Sequence, residues 1–225
     1  MSNTNLVHFF IMLLPVLAML VTGYCMERVA GKDTPLYQKR HWERISGTIC
    51  LLAGLFVLQW QSLIPPTVLP DSLQWREGVG FWSVITVLLS AVSGWYIVHK
   101  SKPMSAVWQL RQSPHGSKLP LLIVWILYLL IYECYFRKLL LPVQSFSPIL
   151  LWTLNLLAYS LAHVPHGRAE TIASIPYGLL LGLSAVQTGS IWPAVLGHVS
   201  LVLFTQFLSY HIPESKKLIP PGAEH

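Results

Sequence analysis

Residues 125–141 read W-I-L-Y-L-L-I-Y-E-C-Y-F-R-K-L-L-L, an apolar run with one carboxylate, Glu133, at its middle. Of the nine acidic residues in the chain, Glu133 is the only one inside a long apolar run. A charged carboxylate at the centre of a bilayer costs at least ~2.5 kcal/mol. A fold that keeps it there must bring it a partner or give it a use. Other segments of the chain must therefore reach Glu133.

Apolar runs recur from end to end. A spanning helix takes ~20 mainly apolar residues. Seven stretches qualify: 6–26, 45–64, 79–98, 119–136 or a little beyond, 148–164, 172–188 and 191–210. Pro15 lies inside the first, where a membrane helix tolerates a kink, and Pro65-Pro66 ends the second. The first is too long for the apolar region of a signal peptide, and no Lys or Arg precedes it, so it is expected as a retained span. Charged residues make up only 11% of the chain, against roughly 25% in soluble domains. The expected fold is all-α: a polytopic membrane helix bundle of about seven transmembrane helices. Residues 1–118 form three N-terminal spans with basic loops, 119–212 a four-span core, and 213–225 a polar tail.

The formal charge of +6 would suit a nucleic-acid partner. The placement of the cations speaks against one. Arg28, Lys32, Lys39, Arg40 and Arg44 follow the first span, and Lys100, Lys102, Arg111 and Lys118 follow the third. Basic loops of this kind set membrane orientation. They place the N-terminus outside and the tail, with Lys216 and Lys217, in the cytoplasm. Arg168 agrees with this orientation; Arg137 and Lys138 run against it. Nine Trp and nine Tyr suit two lipid–water interfaces. The lipid bilayer is thus an expected partner and nucleic acid is not. Cys25, Cys50 and Cys134 lack metal-motif spacing, and an odd count does not make a disulfide framework.

Two histidines share the apolar setting of Glu133: His163 near the end of the fifth span and His198 in the seventh. From the connection near 142–147, Glu133 lies ~15 Å back and His163 ~24 Å forward at a rise of 1.5 Å per residue. Tilt can absorb that difference. His198 lies only ~10 Å into its helix, a looser fit. Blander roles exist for each. Glu133 and Arg137 are spaced for an ion pair on one helix face, and a membrane histidine often serves only as an interhelical hydrogen-bonding group. Cys134 points away from Glu133, and Tyr132 and Tyr135 read as packing or interface aromatics. His166 and Glu170 could extend a metal site, but a cytoplasmic loop is the favoured reading. Together, Glu133, His163 and His198 support hydrolysis of a peptide bond. Glu133 would act as general base on a water placed by His163, and His198 would donate to the developing oxyanion. That route needs no cofactor. The alternative is zinc, held by Glu133, His163 and His198 with an open water position. The absence of H-E-x-x-H excludes a soluble-type zincin.

The order of these residues is familiar. Tyr132-Glu133-Cys134-Tyr135-Phe136-Arg137 is similar to an E-E-x-x-x-R motif. Tyr159-Ser160-Leu161-Ala162-His163 is similar to F-x-x-x-H. Thr188-Gly189-Ser190-Ile191-Trp192-Pro193 leads to His198 as in an H-x-x-x-N motif. Across residues 119–210 the chain resembles the CPBP family of intramembrane proteases, related to the CAAX prenyl protease of the Rce type. The resemblance implies an intramembrane endopeptidase acting on a membrane-anchored peptide or protein, as in maturation or sorting of surface proteins, in a bacterial plasma membrane. It also implies that Arg137 orients or neutralises Glu133. Two positions depart from the pattern. Tyr132 stands where the water-activating glutamate of the family is expected, and Val202 stands in place of the asparagine. Either Glu133 takes over the base role, or the chain keeps the fold as a non-catalytic binding, immunity or assembly factor. A transporter would need inverted repeats or paired broken helices, and the sequence has neither.

Overall fold

A computed structural model describes residues 3–29, 36–60, 73–100, 118–139, 148–164 and 168–211. The regular structure among them is entirely helical: α1 (Asn3–Val29), α2 (Leu36–Trp60), α3 (Val79–Lys100), α4 (Lys118–Cys134), α5 (Pro148–Leu161), α6 (Arg168–Thr188) and α7 (Trp192–His211). Each corresponds to one expected apolar stretch. Lys32, Lys102, Arg111, His166 and the tail 213–225 lie outside the described residues, as do Pro65 and Pro66.

The ends differ from the expected ones in an instructive way. α2 begins at Leu36, so Lys39, Arg40 and Arg44 belong to a helix and not to a loop. α6 begins at Arg168, which puts Glu170 in its first turn. α5 stops at Leu161, so His163 sits just past the helix, its backbone N–H donating to the Ser160 carbonyl at 3.0 Å. α4 closes in a π-helical turn, Tyr135–Leu139, which contains Arg137. Single π-helical turns occur often at functional sites. Here the Asn155 side chain donates to the Phe136 carbonyl at 2.7 Å, giving a partner to a backbone group where the hydrogen-bond register changes.

α3 packs most extensively on α7, α1 on α2, and α5 on α6, while α4 touches both α2 and α7. The α3–α7 seam is close and polar. A Cβ on Gly197 would lie 2.8 Å from Thr86 Cβ, so only glycine permits this approach. Across the seam Thr86 donates to the Pro193 carbonyl at 2.8 Å. Small residues and hydroxyl bridges of this kind are how helices associate where lipid removes the hydrophobic drive between them. A second core gathers Val16, Met19, Leu51 and Leu55 of α1 and α2 around Tyr132, Phe136 and Tyr159.

α6 and α7 are joined by Thr188-Gly189-Ser190. Gly189 has φ 63°, the left-handed conformation that favours glycine after a helix. The Thr188 hydroxyl donates to the Ser184 carbonyl at 2.8 Å and accepts from the Ser190 N–H at 3.2 Å. The Ser190 hydroxyl accepts from the Trp192 N–H at 3.4 Å, and Pro193 occupies the first turn of α7. This tight reversal returns α7 alongside α4 with His198 near the end of α4.

Polar and apolar surfaces are distributed inside out. Thr86, Ser90, Asn155, Ser184, Ser190 and Thr205 are buried, while Leu14, Val21, Phe56, Phe81, Leu88, Val92, Leu127, Leu157, Ile172 and Val186 are exposed. Among the described residues, two helical segments, Val79–Ile97 and Glu170–Thr188, are long and apolar enough to cross a membrane. Leu13–Cys25 and Trp192–Thr205 are shorter apolar segments.

Candidate active site

Glu133, in the last turn of α4, has no accessible surface. One carboxylate oxygen accepts from Arg137 Nε at 2.8 Å, and the other pairs with His198 Nδ1 at 2.6 Å. Arg137 continues the chain of contacts to α5, with Nη1 donating to Asn155 Oδ1 at 3.4 Å and the guanidinium 4.5 Å from the Tyr159 ring centre. Three helices are thus tied by one buried row of polar groups. A guanidinium is always a donor, and a carboxylate paired with it accepts. His198 therefore presents Nδ1–H to Glu133, and its Nε2 remains for other partners.

His163 follows the same logic with a different partner. Its Nδ1 lies 2.8 Å from the Tyr159 carbonyl, which can only accept, so Nδ1 carries the proton and Nε2 is left as an acceptor. Tyr132 stands between the two imidazoles. Both rings meet it edge-on at 6.1 Å, with interplanar angles of 87° for His163 and 81° for His198. The Tyr177 ring also meets His198, 5.9 Å away at 82°. The Tyr132 hydroxyl points to the Tyr159 carbonyl at 3.4 Å.

A cavity of about 800 Å³ opens in front of this group. Tyr132, His163, Tyr177 and His198 form part of its wall, together with Trp125 and Val202. Glu133 and Arg137 lie behind that wall. The site expected from sequence is therefore assembled in two layers: His163 and His198 at the cavity, Glu133 and Arg137 behind them. Depth favoured His163 as the neighbour of Glu133, yet the bond to Glu133 comes from His198.

This geometry corrects several expectations. With both oxygens engaged and no accessible surface, Glu133 is not placed to take a proton from a water in the cavity. His198 turns Nδ1 to Glu133, so only its Nε2 is left to meet a group in the cavity. Among the described residues no group of three or more His, Cys, Asp or Glu is arranged to hold a metal ion. Arg44, expected in a basic loop, is buried, with its guanidinium 3.8 Å from the Trp125 ring centre, and lines the cavity. Glu170, also expected in a loop, lines it as well.

Asn155, Tyr177 and Ser90 were missed, while Tyr159 had entered only as the aromatic position of the second motif. Asn155 was within reach of the rule that picked out Glu133, being a polar residue inside an apolar run. Nothing in the local sequence distinguishes Ser90 or Tyr177 from other hydroxyl residues in spans.

Residues 114–204 match the family model described as type II CAAX prenyl endopeptidase Rce1-like. This stretch is similar to the Rce1-like family. It contains Glu133, Arg137, His163 and His198, in the order that the motif comparison anticipated. No curated protein and no solved structure gives a significant match. The Rce1-like stretch runs from just before α4 into α7, so α1, α2 and α3 lie outside it. Those helices still contribute to the cavity, through Met19, Arg44 and Val92 among others.

Proposed function

We propose that the protein is a multi-pass membrane endopeptidase of the CAAX type, cutting a peptide bond of a membrane-anchored peptide or protein at the wall formed by His163 and His198. The observation that carries this reading is the row Arg137–Glu133–His198. It fixes one nitrogen of an imidazole and leaves the other for a cavity large enough to take substrate. A carboxylate that holds Nδ1–H orients the ring and stabilises the imidazolium that forms on proton uptake. His198 Nε2 then serves as the general base. It takes a proton from a water whose oxygen attacks the scissile carbonyl carbon, and His163 Nε2 accepts the water's other hydrogen to aim it. As the carbon–nitrogen bond breaks, the His198 imidazolium returns the proton to the leaving amine. Glu133 and Arg137 are positioning residues in this scheme. No metal enters it.

The membrane setting is supported by the apolar outer faces of the helices and by buried hydroxyls between them. Cation placement supports an external N-terminus and a cytoplasmic tail. The test uses the full chain in nanodiscs and a farnesylated peptide ending in Cys-aliphatic-aliphatic-X. His198→Ala and His163→Ala should each lower cleavage by about 10²-fold or more. Wild-type cleavage by both variants, with each correctly inserted, would remove the proposal.

A second reading, a non-catalytic member of the family, has a specific basis. Tyr132 is packed between the two imidazoles, and Val202 puts an apolar side chain on the cavity wall. If the wild-type chain is inert and Tyr132→Glu with Val202→Asn creates cleavage, the second reading is the right one.

A further inference from the structure

We propose that Ser90 and Tyr177 form a positioning pair that sets the ring of His198, so that α3 is a working part of the site. The inference rests on the reading of His198 as the base. It begins with the hydrogen-bond inventory of one hydroxyl. Ser90 Oγ lies 2.6 Å from the Thr86 carbonyl, 2.7 Å from the Gly197 carbonyl and 2.7 Å from Tyr177 Oη. A serine hydroxyl has one proton, and carbonyls only accept. If that proton went to Tyr177, two carbonyl oxygens would face the lone pairs of Ser90 at close range. The proton therefore goes to a carbonyl, and Tyr177 donates to Ser90 Oγ.

This fixes Tyr177 in direction as well as in place. Its ring and that of Tyr132 both meet His198 near perpendicular, at 5.9 Å and 6.1 Å. The Glu133 carboxylate holds Nδ1. The imidazole is thereby bounded by a carboxylate and two aromatic edges. Ser90 also reaches the carbonyl of Gly197, the residue before His198 in α7. One buried hydroxyl on α3 thus fixes both the backbone that carries His198 and the aromatic ring that bounds it. α3 lies outside the stretch 114–204 that matches the family, so this pairing is a contribution of the N-terminal helices to the chemistry.

The test reads the imidazole directly. The full chain in nanodiscs is labelled with ¹⁵N in the histidine rings, and the His198 and His163 resonances are assigned by their loss in His198→Gln and His163→Gln. Tyr177→Phe keeps the aromatic ring and removes only the hydroxyl, so a change in His198 reports the lost hydrogen bond. Tyr177→Phe and Ser90→Ala should each displace the His198 ring resonances and leave those of His163 in place. The double variant should move them no further than the larger single change, because both substitutions break one link. With the farnesylated peptide, kcat should fall by about tenfold with KM unchanged, the scale of one hydrogen bond. An unmoved His198 signal in Tyr177→Phe would overturn the proposal, as would additive displacements. If Ser90→Ala does not fold, Tyr177→Phe alone decides. If Tyr177→Phe moves the ring but His198→Ala still cleaves, the proposed function fails and the positioning pair stands.

Discussion

Glu133 and Arg137 are both buried to the point that neither can be satisfied by solvent. Removing one partner of such a pair leaves an uncompensated charge and costs about 3–5 kcal/mol, whereas replacing both can be close to neutral. Glu133→Gln and Arg137→Met should therefore each lower unfolding stability in nanodiscs by about 3 kcal/mol, and the double variant by less than either alone. Additive losses in an equilibrium unfolding series would mean that the two charges do not act as a unit. The same pair marks the limit of what single residues disclose. Glu133, His163 and His198 stood out because each is polar within an apolar run, a local property. Their roles depend on which nitrogen meets which oxygen. That is set by the offset of α7 against α4, which no spacing along the chain encodes. Arg44 failed for the opposite reason: its neighbours in sequence are basic and loop-like, while its neighbour in space is the Trp125 ring.

At the scale of elements, glycines separate positions that carry close packing from those that do not. A Cβ at Gly197 must displace Thr86 across the α3–α7 seam, and a Cβ at Gly80 meets nothing within 4 Å. Gly197→Ala should lower the thermal midpoint by an amount equivalent to about 1–3 kcal/mol, the usual cost of overpacking. It should also depress cleavage, because His198 is the next residue. Gly80→Ala should be neutral, or stabilising by up to about 1 kcal/mol, since alanine is the better helix former. Gly189→Ala should cost about 1–2 kcal/mol, because φ 63° forces a side chain into the left-handed region. Equal midpoints for Gly197→Ala and Gly80→Ala would contradict the close seam. The existence of seven helices among the described residues was legible from the apolar runs, and two of them are long and apolar enough to cross a membrane. The helix ends were not legible. The apolar criterion sees only the apolar stretch, so it missed the first turns of α2, which carry Lys39, Arg40 and Arg44, and of α6, which carry Arg168 and Glu170. It also extended α5 over His163, which lies beyond the last helical residue.

For the molecule as a whole, α3 carries two unlike faces. Leu88 is 61% exposed on its outer face, while Ser90, two residues on, is fully buried. In water this arrangement would leave a broad apolar surface uncovered, which soluble proteins rarely tolerate. In a bilayer the outer face meets hydrocarbon, and the buried hydroxyls hold the bundle together. The two faces should respond oppositely to substitution. Leu88→Arg should raise the free energy of insertion by about 3 kcal/mol in a glycosylation-reporter assay. Thr86→Val, nearly isosteric, should insert at least as well as the parent. It should instead weaken the folded bundle by about 1 kcal/mol, because the bond to the Pro193 carbonyl is lost. The pair of measurements is needed because each covers a different failure. If Leu88→Arg inserted normally, the outer face would not be in lipid. If Thr86→Val left stability untouched, the seam that places His198 would owe nothing to its polar bridges, and the link from α3 to the chemistry would lose its physical basis.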